Sequence, residues 1–268
     1  MIHLKHVAVR QGSTQDHTPF PFNLPVVQSL SELTFSSPVT FFVGENGSGK
    51  STFLEALACA ASSITVGSES VKTDPSLTAV RKFADQLKLS WQKRTRKGFF
   101  MRAEDFFGYA KRLSQMQQEF AEDLENVDRE YEGRSKMAVD LAKMPYANEL
   151  HAIKQRYGDG LDTYSHGESF LTLFQSRFVP NGLYMLDEPE APLSPIRQLA
   201  FLSTLKEMVA QNAQFVIATH SPILMAYPGA AIYDFDSAPI QQINYDDVEH
   251  VQLTKSFLNN PDAYLQHL

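Results

Sequence analysis

Gly44-Glu45-Asn46-Gly47-Ser48-Gly49-Lys50-Ser51-Thr52 stands between an apolar, β-prone run, Val39 to Val43, and a helix-forming run, Thr52 to Ala61. The pattern is G-x-x-x-x-G-K-S, a phosphate loop, and strand–loop–helix is the context that makes such a match meaningful. A strand delivers the chain, glycines let backbone N–H groups turn inward, and the helix N-terminus adds partial positive charge. In that setting Lys50 would reach the β- and γ-phosphates of a nucleotide, and the Ser51 hydroxyl would ligate Mg²⁺.

Three further stretches extend the reading. Leu183-Tyr184-Met185-Leu186-Asp187-Glu188-Pro189 reads as a buried strand ending in two adjacent carboxylates, with proline stopping further pairing. Asp187 is suited to hold Mg²⁺, directly or through water, and Glu188 to accept a proton from an attacking water. Phe215-Val216-Ile217-Ala218-Thr219-His220-Ser221-Pro222 is a second β-branched strand with a polar tip. Ligands of open α/β sheets collect at the carboxyl ends of parallel strands, which makes His220 a candidate γ-phosphate contact. Tyr164-Ser165-His166-Gly167-Glu168-Ser169 precedes the apolar run Phe170 to Phe174. Ser165 reads as a helix N-cap with Glu168 completing a capping box, and small residues there leave amides open to an anion.

The order of phosphate loop, S-x-G-E signature, carboxylate pair and strand-end histidine resembles the ATPase head of ABC-type proteins over essentially the whole chain. GENGSGKST, SHGES, LDEPEAPLSP and ATHSP are similar to the stand-alone prokaryotic ABC-type proteins described as predicted AAA-family ATPases, and to the heads of SMC and recombination-repair ATPases. The resemblance implies an α/β P-loop fold with a mainly parallel core sheet, an N-terminal antiparallel β region and a small helical lobe. It implies one ATPase domain over residues 1–268, with 1–104 and 176–268 forming the nucleotide lobe and 105–175 a helical lobe carrying the signature. It also implies Mg·ATP as ligand and a head-to-tail homodimer, in which Ser165 and Gly167 of one copy meet the γ-phosphate held by Lys50 of the other. Glu188 is then the hydrolytic base and His220 the γ-phosphate sensor.

The pattern departs from that of transporters in three places. SHGES replaces the usual SGGQ, so His166 and Glu168 stand where glycine and glutamine are common, and Ser194 stands where an aspartate is usual. A glutamine closing a strand after the first helix is missing. The strand-like run Gly98 to Glu104 offers Glu104 as its replacement near the metal, with a surface salt bridge as the alternative role.

At 268 residues, 43% of them hydrophobic, the chain can bury a substantial core. A net charge of −7 argues against a surface that coats nucleic acid generally, though not against a local basic patch. One such patch exists: Arg81 to Arg102 contains eight Lys or Arg and one acidic residue, Asp85. Lys93, Arg94, Arg96 and Lys97 beside Trp91 read as a nucleic-acid footprint, a solvated or partner face, or charge supplied to the nucleotide. The single cysteine, Cys59, packs as a small apolar residue in this reading, and a cytoplasmic setting is expected. No run approaches the length of a membrane span, and the N-terminus lacks a signal-peptide pattern.

Upstream of the phosphate loop, Ile2 to Val9 alternates like a strand, and Phe20 or Phe22 can stack on adenine or plug the core edge. Such stacking is worth roughly 1–3 kcal/mol where measured in nucleic-acid binders. Arg10 is a further candidate for the ribose or phosphates. Residues 105–157 read as helical, with apolar side chains from Phe106 to Leu124 at helical spacing and no sustained heptad, which excludes a long coiled-coil arm. Ala231 to Phe235 suggests another strand and Thr254 to Leu268 a closing helix. Three uses follow from this reading: an ATP-gated switch for a protein partner, a DNA-repair or DNA-sensing ATPase, and the motor subunit of a transporter.

Overall fold

The computed structural model describes residues 1–10, 19–66, 70–157 and 166–266. In chain order its first half comprises β1 (Leu4–Val9), α1 (Pro25–Ser29), β2 (Glu32–Thr34), β3 (Val39–Val43), α2 (Lys50–Ala61), α3 (Thr78–Ala84), β4 (Leu87–Trp91) and β5 (Phe100–Arg102). Next come α4 (Ala103–Glu130), α5 (Lys136–Tyr157), α6 (His166–Arg177), β6 (Leu183–Asp187), α7 (Pro195–Ala210) and β7 (Gln214–Ala218). The chain closes with α8 (Pro222–Met225), β8 (Ala231–Asp234), β9 (Gln241–Ile243), α9 (Glu249–Asn259) and α10 (Pro261–Leu265).

Strands β3, β6 and β7 are buried at every residue, which is what a strand covered on both faces requires. They lie inside a six-stranded sheet of order β5-β6-β7-β3-β8-β9, parallel throughout except for the antiparallel pair β8–β9. Because side chains alternate along a strand, these apolar runs feed two separate cores. Phe41, Tyr184, Leu186, Phe215 and Ile217 pack with Phe170 and Phe174 of α6, Phe201 and Leu205 of α7, and Val251 of α9. Phe42, Met185, Val216 and Ala218 pack on the other face with Phe53, Leu54 and Leu57 of α2, Phe83 of α3, and Leu4 and Val7 of β1. Each such side chain contributes about 1.5–3 kcal/mol of burial. The second core is closed by a three-stranded antiparallel sheet of order β2-β1-β4. The fold is therefore α/β, with the mainly parallel sheet and the N-terminal antiparallel region expected.

Some boundaries differ from the sequence reading. Strand β5 stops at Arg102 and α4 starts at Ala103, so Glu104 sits in a first helical turn rather than at a strand tip. The closing helix is two helices. Asn260 ends α9, and its side chain accepts from the Ala263 N–H to cap α10, whose first residue is Pro261; proline suits a helix start and not its interior. Helices α4 and α5 pack side by side as a hairpin turning near Gly133, whose φ is 79°, and Lys143 reaches Asp128 across it. Phe106 and Leu113 of α4 and Ile153 of α5 belong to the first core. Gly98 permits the approach to β6: its φ is 109°, and a Cβ there would lie 1.8 Å from the Leu183 carbonyl oxygen.

A buried amide helps tie the two sheets together. Gln214, fully buried in β7, accepts from the backbone N–H of His3 (2.7 Å) and Leu4 (2.8 Å) and donates to the Leu4 carbonyl (2.9 Å). Gln214→Leu keeps the volume and orphans three buried backbone groups. We expect a loss of about 2–4 kcal/mol, read in thermal unfolding as a drop of at least about 5 °C for a chain of this size. An unchanged midpoint would show that this amide does not bind the sheets together.

Candidate functional site

The parallel register sets the site. Asp187 pairs with Ala218, and Phe42 also pairs with Ala218, so β3, β6 and β7 end together. The chain reversals that follow, Gly44–Gly49, Glu188–Pro189 and Thr219–His220, therefore open from one edge. At Gly49, φ is 99° and a Cβ would lie 2.7 Å from Val26 Cγ1, so only glycine lets the loop pass against α1. Lys50 begins α2, is buried, and donates from Nζ to the carbonyls of Gly44 (2.7 Å) and Glu45 (2.8 Å). Burial lowers its pKa, while Asp236, Glu188, Asp187 and Glu45 work to raise it. The Ser51 hydroxyl donates to Asp187 Oδ1 at 3.0 Å. Asp187 is pushed up to about 7, first by burial, opposed by the Ser51 bond and reinforced by Glu188.

Glu188 leaves the strand in a left-handed conformation, φ 49°, with its N–H donating to the Ala218 carbonyl at 2.9 Å. A non-glycine residue held there costs about 1–3 kcal/mol, the kind of strain that collects at working sites. His220 Nε2 lies 3.7 Å from Glu188 Oε1, beyond hydrogen-bond reach. Burial, and then Lys50, lower the His220 pKa below its usual value, which favours a neutral imidazole at pH 7. The His220 backbone N–H is held by Glu190 Oε1 at 2.7 Å. Among the described residues, Ser48 Oγ and His220 Nε2 here are buried without a hydrogen-bond partner, as is Glu190 Oε2. Unmet polar atoms, inward-turning glycines, one buried ammonium and a hydroxyl–carboxylate pair are what a metal-bound polyphosphate fits.

A cavity of about 300 Å³ adjoins the carboxylates, lined by Ser51, Glu55, Arg102, Ala103, Glu104, Asp187 and Glu188. Arg102 is its hub, with Asp74 at 2.8 Å, Asp105 at 3.3 Å, and Glu55 and Glu104 at 3.4 Å. Glu104 thus stands on the pocket wall, with a mostly exposed side chain that pairs with Arg102.

Other sequence candidates fall elsewhere. Phe22 is buried edge-on against Phe83, so it is the core plug, whereas Phe20 is half exposed upstream of α1. Arg10 lines a cavity with Cys59, Ala60 and Ser62 at the C-terminal end of α2, the end away from the loop, which removes it from the phosphates. Arg96 and Lys97 lie beside Leu183, at the start of β6, so this part of the basic stretch sits at the opposite edge of the sheet from Asp187 and away from the loop of its own chain, whereas Arg102 stands on the carboxylate pocket. Ser165 lies outside the described residues; Gly167 is in the first turn of α6. Four residues of the site were missed. Glu190 lies within the quoted carboxylate stretch and Arg102 adjoins Glu104, so both had a local signal. Asp236, which accepts from the Glu45 N–H with both oxygens at 2.9 Å, and His250 had none, because their contacts cross some two hundred residues.

Glu55 gives a pH signature. Burial raises its pKa to about 7, with Arg102 opposing. The folded state therefore holds a proton that the unfolded state has released, so the Glu55 contribution to stability falls as pH rises from about 4.5 to about 7. Glu55→Gln should match the parent near pH 5 and gain stability by pH 8, by at most about 3 kcal/mol at about 1.4 kcal/mol per pKa unit. A pH-independent difference in unfolding midpoint would contradict this.

A family model described as an AAA domain matches residues 24–179, which contain the phosphate loop and end before Asp187, Glu188 and His220. An uncharacterized ABC transporter ATP-binding protein of Haemophilus influenzae is 30% identical over 146 residues, 52% of this chain and 53% of the relative. The chain thus spans about half the length of the curated relative it matches. Among solved structures, cbiO1 of Clostridium perfringens, part of the ABC transporter complex cbiONQ, aligns over 100% of both chains at 15% identity and a TM-score of 0.48. The Smc head domain of Pyrococcus furiosus, bound to the C-terminal domain of ScpA, aligns over 96% of this chain and 100% of that one at 10% identity and a TM-score of 0.47. At those scores neither carries weight here. The family model covers more than half of the chain, and the chain belongs to the AAA-domain family.

Proposed function

We propose that this chain is an ATP-gated switch, a Mg²⁺-dependent ATPase that closes as a head-to-tail homodimer around two nucleotides and so holds or releases a protein partner. The observation that carries the reading is the convergence at one sheet edge of Lys50, the Ser51–Asp187 pair, and Glu188 facing His220. In this reading the loop residues Gly44 to Thr52 bind the phosphates. Mg²⁺, held by Ser51 and Asp187 with Glu104 on the pocket wall, would offset phosphate charge. Lys50 contacts the β- and γ-phosphates and Phe20 the base. Glu188 accepts the proton of the water that attacks the γ-phosphorus, the bond to the β–γ bridging oxygen breaks, and ADP and phosphate leave. His220 contacts the γ-phosphate through Nε2, which has no hydrogen-bond partner among the described residues. Ser165 and Gly167 complete the site of the other copy, and residues 105–175 act as the lobe that presents them.

A second reading rests on the basic edge. Arg94 lies over Trp91, 6.0 Å from the ring centroid, beside Arg96 and Lys97, a cation–aromatic surface of the kind nucleic acids use. Among the described residues no helix is long and apolar enough to cross a membrane.

The test is the mass in solution of Glu188→Gln with and without Mg·ATP, and of the same protein carrying Ser165→Arg. The dimer should appear only with Mg·ATP and vanish with the arginine. A protein that stays monomeric with ATP bound would remove Ser165 from the site. Salt-sensitive capture of DNA by the closed dimer, lost when Lys93, Arg94, Arg96 and Lys97 are neutralised, would favour the second reading.

A further inference from the structure

His220 is held at its backbone by Glu190, and its ring approaches Glu188 at 3.7 Å. A histidine ring fixed only through its backbone still has several rotamers open to it, and a γ-phosphate contact needs one orientation. The second restraint comes from the far end of the chain. The His250 ring meets that of His220 edge-on, with centroids 5.2 Å apart and planes at 79°. His250 Nε2 also lies 3.4 Å from Glu45 Oε1, on the second residue of the phosphate loop.

His250 is itself well anchored. It occupies the second position of α9, between Val248 and Val251, which are both buried in the first core. The turn before α9 is tied back to the same region, because Tyr245 Oη donates to the carbonyl of Pro222, two residues after His220. Leu224 and Met225 of α8 share the core with Val248 and Val251. The chain that leaves β7 through His220 is thus braced from below by the element that carries His250.

We propose that His250 is a positioning residue, whose ring fixes the orientation of His220 over Glu188. The proposal rests on the reading of His220 as a γ-phosphate contact. It adds α9, a C-terminal helix outside every motif of the sequence, to the parts the reaction requires.

The test is a double-mutant cycle in the full chain, with steady-state ATP hydrolysis as the readout. His250→Ala should lower kcat about 5- to 20-fold and leave KM within about 2-fold, as expected when orientation and not binding is lost. His250→Phe keeps the edge-on ring and should recover most of kcat. In His220→Ala/His250→Ala the loss should equal that of His220→Ala alone, because residues acting as a unit are not additive. The His220 imidazole NMR resonances should shift in His250→Ala while the unfolding midpoint stays within a few degrees, separating orientation from general destabilisation. Full activity in His250→Ala with His220→Ala impaired would overturn the proposal alone, as would losses that multiply. Full activity in His220→Ala would overturn the reading of His220 and the proposal with it.

Discussion

The parallel register of β3, β6 and β7 is the constraint on which the site depends. Three strands that end at the same level release three chain reversals at one edge, and each delivers a different kind of group: an ammonium with turned-in amides, a carboxylate pair, an imidazole. A slip of one residue in β6 would carry Asp187 to the other face of the sheet and break its bond to Ser51. The register is in turn fixed by burial on both faces, since each alternate side chain already belongs to one of two cores.

The same burial tunes the chemistry. Asp187 and Lys50 are both taken out of water, which raises one pKa and lowers the other, so each sits closer to its neutral form than it would on a surface. A bound metal-nucleotide would reverse both costs by offering each its counter-charge, which makes the site one that stabilises on loading. Arg102 extends this electrostatic frame to α4 by gathering four carboxylates from α2, α4 and the segment before α3. Movement of the α4–α5 hairpin thereby has a physical route to the carboxylate pocket.

Much of this was legible in the sequence because it is written locally. The loop from Gly44 to Thr52, the strand ending in Asp187–Glu188 and the strand before His220 are each one continuous stretch whose burial and turn chemistry can be read without knowing the fold. What could not be read is what folding brings together from afar. Asp236 on the Glu45 amide and His250 against His220 have no spacing that announces them. Phe20 and Phe22 look alike as a pair of proline-flanked aromatics, and only packing against Phe83 decides which one is core. Arg96 and Lys97 lie close in sequence to Glu104, yet β5 carries the chain across the sheet between them, which leaves those two charges at the wrong edge for the phosphates.

The central claim is that binding and hydrolysis are separate tasks of neighbouring residues at one sheet edge. The most direct measurement is ATP affinity alongside phosphate release for the parent, Lys50→Ala and Glu188→Gln. The account predicts that Glu188→Gln binds ATP within a few-fold of the parent while releasing phosphate at least about 100-fold more slowly, in the range for loss of a general base. Lys50→Ala should lose binding and release together. Parental phosphate release by Glu188→Gln would contradict it.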